Sequence, residues 1–276
     1  PTRGPRSGAR CRSRSPAEQC KAFRALHAGE PFVIPNPWDA GSARILAALG
    51  FRALATTSSG FAFTVGRLDG GATLDEVAAH VEALSSVTDL PVSVDLENGY
   101  GPEPEAAARA IARVAAAGAV GGSIEDWDAV QGIYELGHAA ERVAAAVEVA
   151  RALDFPFTVT ARAENYLRGN PDLADTIARL QAFEAAGADV LYAPWLATVE
   201  EIRTVCEAVS RPVNVLARPE LTLADMAGAG AQRVSVGGWL TWVAVGAFAD
   251  AAKRIADDGD FSALGRPLPL DEWLSP

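Results

Sequence analysis

The sequence predicts a (β/α)8 TIM barrel, and three features of the chain support this fold class. From Pro31 onward a short apolar run, a polar tip and an Ala-rich amphipathic segment repeat eight times. The apolar runs lack polar alternation, which indicates parallel strands that helices cover from outside. Ala-Gly-Ala at 117–119, 186–188 and 229–231 indicates helix ends that lead directly into the next strand. Eight such units fit a closed barrel better than an open sheet.

The elements follow in order from the local pattern. Short aliphatic and β-branched runs bounded by turn residues predict strands at 32–34, 53–57, 91–94, 122–126, 157–162, 190–193, 212–216 and 233–236. Apolar residues at helical spacing in the segments between them predict helices at 40–49, 73–86, 103–117, 138–153, 173–186, 199–209, 223–229 and 240–257. No glycine fingerprint of a dinucleotide site follows any of these strands.

We expect one barrel domain over residues 16–276, including a C-terminal extension, preceded by a separate tail at 1–15. The tail carries five arginines and no acidic residue, with little apolar surface to bury, so we expect it to be disordered. It lacks the apolar core of a secretory signal. A transit-like or nucleic-acid-binding arm is the alternative interpretation.

Composition and charge restrict the partners of the chain. The net charge of −11 and the pI near 4.8 argue against nucleic acid as the principal partner. No apolar run approaches the length of about 20 residues that a membrane helix needs. The three cysteines form no CxxC pair, which suggests a reducing compartment. We therefore expect a cytoplasmic protein that binds a small molecule.

Carboxylates follow two neighbouring strands of the predicted barrel. Asp95 and Glu97 end the third strand, Glu125 ends the fourth, and Asp69 lies in the loop after the second. Side chains alternate along a strand, so Asp95 and Glu97 should point to the same side. Barrel active sites lie at the carboxyl ends of strands, where these like charges need protons or a cation. This all-oxygen set suits Mg²⁺, with Mn²⁺ as the alternative ion.

Arg162 ends the fifth strand and should face the same mouth as the acids. Its planar guanidinium can hold a substrate carboxylate through two hydrogen bonds. A structural ion pair with Glu125 or Glu164 is the alternative role for Arg162. Asp69 also has an alternative role, because Leu-Asp-Gly-Gly at 68–71 is a turn-forming sequence.

The turn after the second strand offers backbone donors rather than charged side chains. Thr57, Ser58, Ser59 and Gly60 place successive N–H groups at a strand end, where they could bind a carboxylate or enolate oxygen. Asn214, at the end of the seventh strand, is a further candidate for binding substrate. We find no Ser-His-Asp arrangement and no closely spaced His and Cys residues for zinc.

With these residues in view, the chain resembles the isocitrate lyase/phosphoenolpyruvate mutase superfamily from about Ala22 to Gly265. The resemblance lies in Asn-Pro-Trp-Asp-Ala at 36–40, Ser-Ser-Gly at 58–60, Leu-Asp at 68–69, Val-Asp-Leu-Glu-Asn-Gly-Tyr-Gly at 94–101, Ser-Ile-Glu-Asp at 123–126 and Thr-Ala-Arg at 160–162. It implies a magnesium-dependent barrel that acts on 2-oxo or 2-hydroxy acids through an enolate. It also implies a tetramer, a dimer of dimers whose subunits exchange the last barrel helix.

The resemblance implies a role for each matching residue. Asp95 would bind the metal directly, and Asp69, Glu97 and Glu125 would bind it through water. Arg162 would hold the substrate carboxylate, and together with Asp69 and Glu125 it forms the candidate catalytic set. The implied substrate-binding residues are Trp38, Thr57, Ser58, Ser59, Gly60, Asp95, Arg162 and Asn214.

Two departures from the superfamily pattern affect the expected reaction. Glu97 stands where many members have Asp, which lengthens that ligand arm. Family lyases carry a mobile Lys-x-Cys-Gly-His loop whose Cys serves as the acid, but residues 127–136 contain no Cys. The longer loop of the phosphonomutases, with its Asn-Ser, is also missing.

These observations predict a magnesium-dependent carbon–carbon lyase. Without the Cys acid, cleavage of isocitrate-like substrates is disfavoured. Decarboxylation of a β-keto acid such as oxaloacetate needs only the metal and oxyanion stabilisation. One alternative is a phosphonomutase-type isomerase of the carboxyphosphonoenolpyruvate or PEP mutase kind, which would need a phosphoryl-transfer group that the sequence does not show. The other is a non-catalytic protein that binds 2-oxo acids.

Overall fold

A computed structural model describes residues 15–265 and 267–274 of the chain. The tail expected at 1–15 lies outside the described residues except for Ser15, which caps the first helix. The strands are β1 Phe32–Ile34, β2 Leu54–Ala55, β3 Val92–Asp95, β4 Gly121–Glu125, β5 Trp127–Asp128, β6 Gly132–Ile133, β7 Thr158–Arg162, β8 Val190–Tyr192, β9 Val213–Leu216 and β10 Arg233–Ser235.

Eight of these strands form one parallel sheet in the order β1-β10-β9-β8-β7-β4-β3-β2. A hydrogen bond of 3.0 Å from Ala55 N–H to the Pro35 carbonyl joins the two edges of the sheet. The sheet therefore closes, and the predicted (β/α)8 barrel is confirmed. β5 and β6 form a separate antiparallel hairpin at the mouth.

Helices alternate with the barrel strands along the chain. They are α1 Pro16–Leu26, α2 Ala40–Ala48, α3 Ser58–Thr64, α4 Leu74–Val87, α5 Pro104–Ala116, α6 Leu136–Ala152, α7 Leu173–Ala185, α8 Val199–Ala208, α9 Leu223–Gly228, α10 Trp239–Asp258 and α11 Leu270–Leu274. Each of the eight predicted helices is present. No helix in the described part of the chain is long and apolar enough to span a membrane.

Local sequence explains where the barrel helices begin and which face they bury. Thr73 and Glu76 form a capping box at the start of α4, and Thr198 and Glu201 do the same for α8. Along α5 the buried side chains recur at helical spacing and pack into the core between the helices and the barrel. The main core lies in this layer between helices and strands.

The structure differs from the predicted elements in five places. β2 is only two residues long, and α1 and α11 were not predicted. The segment from Ser58 is the first turn of α3 and not an open turn. The region without the lyase Cys is the hairpin of β5 and β6. Both α3 and the hairpin lie at the mouth of the barrel, so these differences affect the candidate site.

Candidate active site

The predicted strand-end side chains meet at the mouth of the barrel. Asp95, Glu125 and Arg162 are the last residues of β3, β4 and β7, which are neighbours in the sheet. In the sheet register Glu125 lies directly beside Arg162. The parallel arrangement therefore brings these three charges to one end of the barrel, as the sequence predicts.

Arg162 lies at the centre of this group. Its Nη1 atom is 3.7 Å from Asp95 Oδ1 and 3.4 Å from Glu125 Oε2, and its Nε atom bonds Glu164. Burial lowers the pKa of Arg162, but the carboxylates of Glu164, Glu125 and Asp95 outweigh burial and raise it well above its usual value. The ion pairs with Glu125 and Glu164 are those anticipated as the structural alternative. A substrate-binding role for Arg162 stays a prediction.

Glu97 and Asp69 reach the same region from loops. Both line a cavity of about 610 Å³, here called the acidic cavity, together with Glu125 and Arg162. Glu97 follows the end of β3 and has a left-handed backbone with φ of 49°, so strand alternation does not orient its side chain. Burial, and then the charges of Asp95 and Asp69, raise the pKa of Glu97 to about 8. This local excess of negative charge favours a bound cation.

The donor chemistry of the cluster fits a magnesium ion. Asp69, Asp95, Glu97 and Glu125 supply only oxygen atoms, as Mg²⁺ prefers. Within residues 15–265 and 267–274, no three acidic, His or Cys side chains already stand close enough together to hold a metal. Mg²⁺ usually keeps several waters and takes one or two direct carboxylates, so it does not need three protein side chains in direct contact with it. The metal roles of the four residues stay predictions.

The residues after β2 are placed by α3. Thr57 is the N-cap of α3, and its side chain accepts a hydrogen bond of 3.3 Å from Gly60 N–H. Ser58 N–H donates to Asp95 Oδ2 at 3.4 Å, so this amide faces a carboxylate. Ser58 and Ser59 line the mouth. Gly60 is buried, and a Cβ there would lie 2.7 Å from Thr241 Oγ1 of α10, so this position has no room for a larger side chain.

Two predicted substrate-binding residues lie away from the acidic cavity. Trp38 lines none of the cavities described here, and its N–H donates to Ser42 Oγ at the start of α2. Asn214 is 1% exposed and lines a small inner cavity of about 60 Å³ below Asp95 and Arg162. Asn214 bonds Ser235 and Arg233 inside the barrel. Asn214 therefore shares the inner cavity with Asp95 and Arg162 but does not line the acidic cavity, and Trp38 lines neither.

Three residues at the mouth were missed by the sequence reasoning. Arg168 contacts Glu125 at 3.5 Å and Glu164 at 3.0 Å, and its guanidinium lies 3.3 Å from the centroid of the Trp127 ring. The Arg162 guanidinium lies 5.3 Å from the centroid of the Tyr192 ring. Tyr192 is the last residue of β8, so the strand-end rule could have found it. Arg168 follows the end of β7 and Trp127 begins the hairpin strand β5, so the strand-end rule of the barrel does not reach either residue.

The β5–β6 hairpin occupies the position of the missing Cys loop. Asp128 Oδ1 accepts hydrogen bonds from the N–H groups of Val130 and Gln131 at 2.8 and 2.9 Å, which closes the hairpin turn. Asp128 Oδ2 accepts one from Asn98 Nδ2 at 2.8 Å. Neither described cysteine lies here, because Cys20 is in α1 and Cys206 is in α8. The hairpin therefore brings Trp127 and Asp128, but no described thiol, to the acidic cavity.

The barrel brings clustered carboxylates and an arginine to the carboxyl ends of its strands, where the active sites of TIM barrels lie. The sequence profile of the family described as phosphoenolpyruvate phosphomutase matches residues 23–256. The chain belongs to this family, and the resemblance to the phosphoenolpyruvate mutase/isocitrate lyase superfamily is confirmed.

Individual relatives are consistent with this family assignment. A Burkholderia cenocepacia J2315 protein of known crystal structure, provisionally assigned as a lyase/mutase, is 49% identical, with a TM-score of 0.91 over 95% of this chain and 97% of that one. The 2-methylisocitrate lyase of Escherichia coli (strain K12) is 30% identical over 70% of this chain and 68% of its own length. The oxaloacetate decarboxylase of Rhodopseudomonas palustris (strain BisB18) is 32% identical over 59% of this chain and 57% of its own.

Proposed function

We propose that the protein is a magnesium-dependent carbon–carbon lyase that acts on small 2-oxo or 2-hydroxy carboxylic acids through an enolate. The preferred reaction is decarboxylation of a β-keto acid such as oxaloacetate. The observation that supports this proposal most is the convergence of Asp95, Glu125 and Arg162 at the strand ends. Relatives named 2-methylisocitrate lyase and oxaloacetate decarboxylase support the same class of reaction.

The acidic cluster would hold the metal. Asp95 would bind Mg²⁺ directly, with Asp69, Glu97 and Glu125 holding its water ligands. Mg²⁺ bound there would stabilise negative charge that develops on a carbonyl oxygen of the substrate. Binding of the ion would also relieve the repulsion that raises the pKa of Glu97.

Arg162 would hold the carboxylate next to the 2-oxo group. Its side chain is 14% exposed and keeps its charge through three carboxylate neighbours, so it would face a substrate as a cation. In oxaloacetate the bond between C3 and C4 breaks, and C4 leaves as carbon dioxide. The electron pair of that bond forms the enolate, with its negative charge on the C2 oxygen. C3 then takes a proton from water to give pyruvate.

The absence of a described thiol at the mouth favours decarboxylation over cleavage of an isocitrate-like acid. Cleavage of that kind leaves a carboxylate-stabilised carbanion that a positioned acid must protonate. Decarboxylation releases a neutral gas, and protonation of the enolate can follow from solvent. Hairpin residues such as Trp127 and Asp128 offer no acid equivalent to the Cys of the family lyases.

We also propose that the chain forms homo-oligomers by exchange of α10. Among the described residues of this helix only Thr241 is buried, whereas Val243 is 69% and Phe248 is 73% exposed. Apolar side chains at this spacing along one helix favour burial against another surface. Light scattering at micromolar concentration should give the mass of a dimer or tetramer, and a monomer would contradict the proposal.

The function is tested by a substrate panel with and without magnesium. Oxaloacetate, 2-methylisocitrate and phosphonopyruvate separate decarboxylase, lyase and phosphonate-processing activities. We expect carbon dioxide release from oxaloacetate above the rate with magnesium alone, and its loss when EDTA is added. Binding without turnover of any of the three acids would favour the non-catalytic alternative.

A further inference from the structure

A second cavity opens from the same mouth and differs in chemistry from the acidic cavity. Its volume is about 380 Å³, and it shares Ser58, Asp69 and Arg162 with the acidic cavity. Four of its lining side chains, those of Tyr192, Trp195, Trp239 and Trp242, are aromatic and form an aromatic wall. We call this space the tryptophan cavity. Asp69 and Asp95 line this cavity as well, so a ligand held by Arg162 here has carboxylates on one side and aromatic rings on the other.

Trp195 has a backbone conformation that core packing does not explain. Its φ is 69°, in the left-handed region that residues with a Cβ rarely adopt. The neighbouring Ala193 and Leu196 are buried, but Trp195 is 39% exposed. Non-glycine residues with such rarely adopted backbone conformations cluster at functional sites. The other two non-glycine residues with positive φ in the described chain are Glu97 and Tyr100, which both line the acidic cavity.

The wall is held in place by specific contacts. The guanidinium of Arg218 lies 5.1 Å from the centroid of the Trp195 ring. The ring of Trp242 lies 5.9 Å from that of Phe63 of α3, with the two rings edge to face. Thr241, between Trp239 and Trp242 in sequence, is 1% exposed, so the first turn of α10 packs on this barrel. The exposed side chains proposed to pack on a partner subunit, Val243 and Phe248, follow that turn. The aromatic side chains therefore form a built surface beside Arg162.

The size and chemistry of this surface indicate what it binds. Two of the four carbons of oxaloacetate are carboxylates, and the molecule has no apolar substituent to place against the tryptophan rings. A substrate with an apolar substituent on C3 would bury that group here and gain from removing it from water. Its 2-oxo acid head would keep the contacts with Arg162 and the carboxylate cluster.

We propose that the substrate is a 2-oxo acid with an apolar side chain, alkyl or aryl, that lies in the tryptophan cavity. This inference rests on the proposed function, because it assumes that the head group is a 2-oxo acid bound beside the metal. A C3-substituted β-keto diacid would then lose its C4 carboxylate as carbon dioxide, take a proton from water at C3, and leave the corresponding longer 2-oxo acid.

Calorimetry with magnesium and three such products tests the proposal. The ligands are pyruvate, 4-methyl-2-oxopentanoate and phenylpyruvate, which share the head group and differ in the side chain. Each buried methylene is worth roughly fourfold in affinity. We therefore expect the two larger acids to bind the full chain at least about tenfold more tightly than pyruvate.

Trp195→Gly is the informative variant, because glycine tolerates the left-handed backbone. If Trp195 serves the ligand, the variant should keep or raise its melting temperature and keep its pyruvate affinity. The preference for the larger acids should fall to less than about threefold. Trp195→Asn, which also tolerates this conformation, serves as a second variant if the glycine chain is unstable. Trp273→Ala on α11, outside both cavities, is the matched control and should leave the preference unchanged.

Two outcomes would overturn the inference while leaving the proposed function intact. The wild-type chain could bind pyruvate as tightly as the larger acids. The preference could persist in Trp195→Gly, and a loss of stability or a change of oligomeric mass in that variant would then make Trp195 a structural or subunit contact. If no 2-oxo acid, including pyruvate, binds with magnesium, the proposed function itself fails.

Discussion

At the scale of single residues, a substitution at Arg162 tests whether this side chain binds substrate or only holds a structural ion-pair network together. If it clamps a substrate carboxylate, Arg162→Lys keeps the charge but loses the planar fork. Affinity for a 2-oxo acid should fall by about 1.5–3 kcal/mol, the value of a charge-assisted hydrogen bond. Stability should change little, because the ammonium can still pair with Glu125 and Glu164. Calorimetry and thermal unfolding on the same variant measure both quantities.

The structural role of Arg162 predicts the opposite pair of results. The melting temperature would fall and ligand affinity would stay nearly unchanged. Arg151→Lys is a matched control, because Arg151 pairs with Asp189 at 2.7 Å at the other end of the barrel strands. That control should leave affinity for 2-oxo acids as it is in the wild type.

Asp95 should be essential for the metal and dispensable for the fold. Asp95→Ala removes one of the clustered like charges and only weak contacts, such as the 3.4 Å hydrogen bond from Ser58 N–H. We expect magnesium binding and turnover to disappear while the melting temperature stays within a few degrees, or rises. Calorimetry that finds the wild-type magnesium affinity in this variant would defeat the metal assignment.

Glu97 should make the metal-free protein less stable as pH rises. Its pKa is raised to about 8, first by burial and then by Asp95 and Asp69. A carboxyl group with a raised folded-state pKa stabilises the fold below its ordinary value, and this contribution disappears as pH rises through the folded value. From pH 5 to pH 9, wild type should therefore lose stability relative to Glu97→Gln, by at most roughly 5 kcal/mol. A constant difference in urea unfolding free energy across this range would show that the shift is absent.

The residues that the sequence identified best are those governed by the strand-end rule. Asp95, Glu125 and Arg162 meet because parallel strands bring their carboxyl ends to one side. Glu97 could not be oriented in this way, since its left-handed backbone breaks the alternation. Arg168 was not predictable, because its position depends on stacking over Trp127 from another loop.

At the scale of elements, the predictable parts are those with a strong local pattern. The barrel strands are apolar runs bounded by turn residues, and most barrel helices begin with a capping residue that the sequence shows. α3 was missed because Ser-Ser-Gly at its start is typical of a turn, and the close approach of Gly60 to Thr241 of α10 is a tertiary contact that local sequence does not show. The hairpin was missed because its two strands have two residues each and are held by tertiary contacts.

The hairpin should depend on Asp128. Asp128→Ala removes two hydrogen bonds to turn amides and one to Asn98, so we expect a loss of about 1–3 kcal/mol in unfolding free energy. Urea denaturation of this variant beside Asp154→Ala, an exposed aspartate after α6, measures the effect. Equal stability of the two variants would mean that the hairpin does not rely on these bonds.

At the scale of the whole molecule, the cysteines should be unnecessary for the chemistry. Burial raises the pKa of both Cys20 and Cys206 to about 11, which makes these thiols poor nucleophiles. Alkylation under native conditions should leave activity largely intact, apart from packing effects where Cys206 is modified. Mass spectrometry should confirm modification in the same sample. Rapid inactivation that substrate prevents would mean that a cysteine is catalytic.

The proposed function requires a metal and an arginine that act together on an enolate-like anion at the barrel mouth. Oxalate is a planar dianion that resembles the enolate of pyruvate, so its binding measures this capacity without turnover. By calorimetry, oxalate should bind the wild-type protein in magnesium and about 100-fold or more weakly in EDTA or in Asp95→Ala. Equal oxalate affinity with and without magnesium would contradict the account.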